Sequence, residues 1–239
     1  MPSHHARIYH SRRHVLVTLA IIFLPFIFLV FFSRLAHIAL RLLLTDLFVS
    51  TFRLLIAFVV AAGLAWLSAV LFFKGRRAVI ALPLFDVLQS FPTFAALPLA
   101  TYFWGTSNFT VIFFLVLTVI WPIFFAIISS LKLVKHDWEE AVELYGLRGW
   151  QYIRKFLLPV SIPGLITGSI VGLGEGWEAV VATEIIVHIK PGLGQFFEGV
   201  QTNPSITEFG ILGLLLFIFS INKLVWLPLL ERSHRLLEE

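Results

Sequence analysis

Residues 15–32 contain no charged side chain, and neither do residues 54–73. A hydrocarbon core ~30 Å thick needs about 20 helical residues at about 1.5 Å each, so both runs are long enough to cross one. Four further apolar runs follow, at 78–104, 108–131, 160–189 and 209–230. The run at 78–104 carries Asp86 and the prolines Pro83, Pro92 and Pro98, which predicts a bent or broken helix. Pro122 lies inside the fourth run. The fifth is too long for one simple crossing and includes Glu175, Glu178 and Glu184. The expected fold is all-α: a polytopic membrane helical bundle of about six transmembrane helices.

Composition supports this over the alternatives. The 239 residues are 59% hydrophobic and 13% charged, against roughly 45–50% and about 25% in soluble domains. Twenty-five Phe and seven Trp exclude a disordered chain. With no cysteine, disulfides, thiolate metal sites and cysteine nucleophiles are excluded together.

The net charge of +4 raises the question of nucleic acid, but the positions of the charges answer it. Arg7, Arg12 and Arg13 precede the first run. Lys74, Arg76 and Arg77 follow the second. Lys132, Lys135, Arg148, Arg154 and Lys155 separate the fourth and fifth, and Arg232 and Arg235 follow the last. Six crossings put all of these on one side and leave Arg34, Arg41 and Lys190 on the other. The positive-inside bias then places both termini in the cytoplasm, and no nucleic-acid partner is expected. Ser11-Arg12-Arg13-His14 resembles a twin-arginine export signal. The apolar run after it exceeds the usual h-region and lacks a nearby small-x-small cleavage site, so a retained anchor helix fits better. His4, His5, His10 and His14 meet no metal-ligand spacing and read as part of a cytoplasmic tail.

The only extended polar segment is 132–158, which reads as two short helices. Asp137 is placed to cap the first, with Glu140 three residues on as a capping-box acid. Trp138, Ala141, Val142 and Tyr145 form an apolar stripe on an otherwise acidic helix, and Gly146 suits a left-handed C-terminal turn. A basic amphipathic stretch, 150–157, then runs into Leu158-Pro159. Such a stripe on an acidic helix suits a protein groove better than anionic lipid.

Glu140-Ala141-Val142, three residues, Gly146, nine residues, then Phe156-Leu157-Leu158-Pro159 resembles the EAA loop of binding-protein-dependent ABC importer permeases. Val142 stands for the family's second Ala and Phe156 for its Ile. Ser50-Thr51-Phe52-Arg53, Asp86 through Pro92, Trp177 with Glu184, and Gly192-Leu193-Gly194 resemble the nitrate/sulfonate/taurine/bicarbonate branch. The resemblance implies a transmembrane domain over 46–239 with a five-helix core and a cytoplasmic coupling loop at 132–158. Residues 1–45 are then a tail and a peripheral first helix. It also implies that 137–146 dock on an ATPase subunit, through Asp137, Glu140, Ala141, Val142, Tyr145 and Gly146, with Leu158 and Pro159 closing the motif.

The implied function is the inner-membrane permease subunit of an importer of a small solute, without catalysis of its own. No Gly-x-x-x-x-Gly-Lys-[Ser/Thr] loop occurs, so this chain is expected to bind no cofactor, and ATP and Mg belong to a separate ATPase. Two ATPase subunits, a second copy of the permease and an extracytoplasmic binding protein complete the expected assembly in the bilayer. A stand-alone channel or secondary transporter explains the intramembrane acids but not the EAA-like loop. An intramembrane enzyme lacks a Gly-x-Ser-x-Gly or His-Glu-x-x-His motif.

Ionisable groups at membrane depth are functional candidates, which singles out Arg53, Asp86, Glu175, Glu178 and Glu184. Arg53 and Glu184 belong at the external side, where an Arg53–acid pair is the simplest arrangement. Gly164, Gly168, Gly172 and Gly176 recur on one helix face and let another backbone come close. Packing within the bundle is favoured over packing against a second copy, and Glu175 should point roughly along the same face. Anionic cargo sits awkwardly with several acids unless they are paired or face away from the path.

Overall fold

A computed structural model describes residues 4–134, 136–230 and 232, with side chains from residue 20 onward except those of 136 and 139. Lys135, Arg235 and the side chains of Arg7, Arg12, Arg13 and the four N-terminal histidines lie outside the described residues. Every described element is helical, as lipid requires of a backbone that must pair its own polar groups. The order is α1 (His4–Leu35), α2 (Leu40–Phe72), α3 (Gly75–Gln89), α4 (Thr93–Trp104), α5 (Asn108–Lys132), α6 (His136–Leu144), α7 (Gly149–Tyr152), α8 (Leu158–Val187), α9 (Leu193–Val200) and α10 (Pro204–Ile221).

Among the described residues four helices are long and apolar enough to cross a membrane: α2, α5, Gly149–Val187 and Pro204–Leu230. The pair α3 and α4, bent by 79°, counts as a fifth, and α1 adds a shorter apolar stretch, Ala20–Leu35. The bend falls at Pro92, whereas Pro83 and Pro98 sit inside helices. Before Pro92 the chain tightens, with Ser90 N–H donating to Val87 O (3.1 Å) and Phe91 N–H to Leu88 O (3.2 Å). A residue preceding proline is pushed out of the α region, so the helix cannot continue through Phe91 and ends at Gln89.

The sequence reading of 150–157 as a separate short helix is corrected. Gly149 to Val187 is one continuous helix of 39 residues, passing through a π turn at Ile153–Leu157. Leu158 N–H reaches back five residues to Ile153 O, and Pro159 follows at once. The same sequence of events recurs in the last helix, where a π turn at Asn222–Trp226 precedes Leu227-Pro228 and the helix runs on to Leu230. Slipping one residue in register lets a proline, which has no N–H to give, enter without breaking the helix.

α5 is the centre of the bundle and packs most extensively on α8 and then on α2. Val111, Leu115, Val119, Ile123 and Ile127, four residues apart, are fully buried on it. The partners on both sides are small. α2 presents Ala57, Ala61, Ala65 and Ala69, all completely buried, and α8 presents the four glycines. A Cβ on Gly164 would stand 2.5 Å from Ala126 O, and one on Gly168 2.5 Å from Ile123 Cα. On Gly172 it would meet Val119 O at 3.0 Å, and on Gly176 the Leu54 side chain at 2.6 Å. The glycine face therefore packs inside this chain, against α5 and α2.

Gly168→Ala should then be destabilising by about 1–3 kcal/mol, the usual cost of overpacking. Gly174→Ala, where a Cβ meets nothing within 4 Å, should be near neutral. Thermal unfolding of the two variants in detergent checks the contrast.

Candidate functional site

Three places gather the polar residues singled out in the sequence. The first is α6. It begins at His136, so Asp137 lies within its first turn and is not the N-cap; its carboxylate still sits where the helix dipole favours negative charge. The C-terminus closes in a Schellman turn: Gly146 has φ +61°, Leu147 N–H donates to Val142 O (3.1 Å) and Gly146 N–H to Glu143 O (3.0 Å). Trp138, Ala141, Val142 and Tyr145 share a groove of 290 Å³ with Phe156 and Pro159. The two halves of the EAA-like motif thus converge on one surface, where Tyr145 is 82% exposed. Leu158 is exposed beside it, and Glu140 lies on the same helix. On the flank of α6, Lys74 shares a second groove with Glu143 and Arg148. The α2–α3 turn and α6 therefore lie at the same end of the molecule.

At the opposite end is a buried polar cluster. Arg53 and Glu184 form an ion pair (Nη1–Oε1 2.5 Å) with side chains 5% and 0% exposed. Arg53 also donates from Nε to Asn108 Oδ1 and from Nη1 to the Pro191 carbonyl, both at 2.8 Å. The Glu184 carboxylate accepts from Ser50 Oγ (2.8 Å) and Gly194 N–H (2.9 Å). Leu193 N–H donates to Ser50 Oγ (2.8 Å) and Gly192 N–H to Asp46 Oδ1 (3.1 Å). Four segments, α2, α5, α8 and the loop into α9, are tied at one point. Gly192 and Gly194 are needed there, because a Cβ on either would come within 2.5 Å of Glu184 atoms. Ser50 is legible as a partner from its place one turn before Arg53. Asn108 and Asp46 carry no local signal, because their contacts are made across the fold.

The third place is a cavity of 710 Å³ at the α3–α4 break, walled by α4, α5 and α8. Gln89, Thr93, Thr118, Trp121, Phe125 and Glu175 line it. Thr118 and Trp121 are central in α5, and Glu175 is within a turn of the midpoint of α8, so the cavity is at mid-depth. Glu175 is exposed to it and has no hydrogen bond or ion pair among the described residues. The three intramembrane acids of α8 thus separate: Glu184 is buried and paired, Glu175 faces this cavity, and Glu178 opens onto an apolar groove of 510 Å³ against α10. Asp86 is outside the cavity, with the Gln89 amide nitrogen 3.5 Å from it. No group of His, Asp or Glu among the described residues is arranged to hold a metal ion.

A membrane helical bundle with a cavity at mid-depth that an acidic side chain enters, and an amphipathic helix at one end, suits a transport component. Residues 59–227 match the family of binding-protein-dependent transport system inner membrane components. The nitrate import permease protein NrtB of Synechocystis sp. is 30% identical over 190 residues, covering 75% of this chain and 69% of that protein. The bicarbonate transport system permease protein CmpB of Synechococcus elongatus is 26% identical over 141 residues (56% and 51%). The taurine transport system permease protein TauC of Escherichia coli is 24% identical over 143 residues (58% and 52%). The chain spans about half the length of the last two. It belongs to the family of binding-protein-dependent inner-membrane permeases, in the branch that holds these three relatives.

Removing one partner of a buried ion pair leaves the other uncompensated and costs about 3–5 kcal/mol. Arg53→Met should therefore strongly lower the unfolding temperature. Arg53→Lys should recover only part of the loss, since one ammonium cannot reach Glu184, Asn108 and Pro191 O with a planar fork. Thermal unfolding of both variants beside the parent chain measures this.

Proposed function

We propose that this chain is the permease subunit of an ABC importer, with the cavity beside Glu175 as its share of the translocation path. The observation that carries the reading is the position of α6. It is a short amphipathic helix between α5 and the helix that begins at Gly149, with Trp138 and Tyr145 turned outward. Such a stripe fits a cleft on a separate ATPase, which binds ATP and Mg. This chain supplies no catalysis.

The shared location of Lys74 and Arg148 supports putting that end in the cytoplasm, with both termini, six crossings and the Arg53–Glu184 cluster toward the outside. Two copies complete the path by two-fold symmetry, two ATPase subunits drive it, and an extracytoplasmic binding protein delivers the solute. ATP brings the ATPase pair together, the α6 helices move with them, and the spans re-orient around the cavity. The cargo is a small polar solute of the size of nitrate, bicarbonate or taurine.

Gly146→Val forces a β-branched residue into φ +61° and opens the Schellman turn, while Tyr145→Ala trims the outward stripe. Both variants should insert normally, and the ATPase that co-purifies should fall at least about fivefold, a loss of roughly 1 kcal/mol in docking. Unchanged ATPase recovery in both contradicts the docking role. The intact complex should have the mass of two permeases and two ATPases; a second, different permease chain at equal stoichiometry contradicts the homodimer.

A further inference from the structure

The helix that runs from Gly149 to Val187 is held unequally along its length. From Gly164 to Gly176 its backbone lies against α5 and α2, with Ala126 O and Ile123 Cα filling the places where side chains on Gly164 and Gly168 would stand. Just before Gly164 two polar ties add to this. Ser130 Oγ on α5 donates to Val160 O (3.0 Å), and Trp66 Nε1 on α2 donates to Ser161 Oγ (2.8 Å). Ser161 Oγ in turn donates to Leu158 O (2.8 Å). Ahead of these ties the attachment changes. Leu158–Val187 packs on α2, α4, α5 and α9, whereas the backbone of 149–157 lies chiefly against the adjoining turns of its own helix. Within that stretch Phe156 and Leu157 alone are buried.

The hydrogen-bond ladder is weakest at the same boundary. Leu158 N–H reaches back to Ile153 O and passes over Arg154 O. The next donor in register belongs to residue 159, and a proline has none, so the carbonyls of Arg154 and Lys155 lose the partners an unbroken helix supplies. Pro163 withdraws the donor from Pro159 O in the same way. Helices bend sharply where prolines and π turns interrupt the ladder. α6 rests on this stretch: Phe156 and Pro159 share a groove with Trp138 and Tyr145, and Tyr152 and Phe156 share another with Glu143. We infer that 153–159 is a hinge, about which α6 and 149–157 swing as the coupling end while 160–187 stays fixed on α5. This rests on the proposed docking of α6 on an ATPase and deepens it by naming where the motion enters the bundle. A rigid 39-residue rod would have to move its glycine face across α5 or break the Arg53–Glu184 pair, and close-packed backbones leave no room for the first.

The test uses the full chain with its ATPase in lipid nanodiscs, without nucleotide and with ATP trapped. Two pairs of exposed positions carry spin labels on introduced cysteines, diluted with unlabelled chain so that each distance lies within one copy. Phe109→Cys with Gln151→Cys spans the hinge; Ser129→Cys with Ile186→Cys compares the same two helices without crossing it. The first distance should change by at least about 3 Å on trapping ATP and the second by less than about 1 Å, since a hinge concentrates the motion at one place. A constant first distance, or equal changes in both, overturns the proposal. Hydrogen exchange on the unlabelled complex reads the same boundary without any variant. Amides at 153–158 should exchange at least about tenfold faster than those at 165–180, and equal protection overturns the proposal too. ATPase co-purification reads the docking separately. An ATPase that binds while both distances stay constant contradicts the hinge alone, whereas loss of binding contradicts the docking and leaves the exchange contrast to judge the hinge.

Discussion

The close approach of α8 to α5 holds the rest of the molecule in place. In lipid there is no hydrophobic gain from bringing apolar helices together, so association depends on contact between backbones and on the few polar bonds available. Glycines at 164, 168, 172 and 176 remove the side chains that would separate the two helices, and carbonyl oxygens and α-carbons of α5 occupy the space. The alanines of α2 do the same from the other side. Once that face of α8 is committed to α5, its rotation is fixed. Glu175 and Val171 then turn to the cavity and Glu178 to the groove against α10.

The Arg53–Glu184 cluster complements this packing at one end. Packing of small residues fixes distance but resists sliding along the helix axis only weakly. A buried pair held by Ser50, Asn108 and the backbone of 191–194 fixes the axial register of α2, α5 and α8 together. Its hydrogen bonds leave neither charge uncompensated, which is what makes such burial tolerable. Toward the opposite end the ties between the same helices are uncharged: Trp66 Nε1–H donates to Ser161 Oγ (2.8 Å) and Ser130 Oγ–H to Val160 O (3.0 Å). There α6 touches the bundle through Val142 and the groove at Phe156 and Pro159, an attachment suited to a segment that transmits motion.

What the sequence disclosed and what it withheld divide along physical lines. The glycine stripe is legible because a period of four on one helix needs no partner to be seen. The left-handed turn at Gly146 is legible because its chemistry is local. The break in the third run was readable as a consequence of proline, but not its place at Pro92, which depends on how Ser90 and Phe91 tighten beforehand. The start of α6 at His136 moved Asp137 off the cap by two residues, within the range that helix ends commonly shift. The π turns before Pro159 and Pro228 are register responses that no periodicity reports. The cavity was out of reach, since it joins Gln89, Trp121 and Glu175 from three separate helices. Glu175 could be placed near the glycine face, yet what lay opposite required the fold.

Because the chain has no cysteine, neighbouring positions on α5 can be probed one at a time. Thr118 lines the cavity, while Val119 is fully buried beneath Gly172. Thr118→Cys and Val119→Cys, each in the assembled transporter in sealed vesicles, should differ sharply toward a water-soluble, membrane-impermeant thiosulfonate. The expected result is modification of Thr118→Cys in at least one nucleotide state and protection of Val119→Cys in all of them. Protection of both, or equal reaction of both, would contradict a water-filled path walled by α5 and α8 beside Glu175.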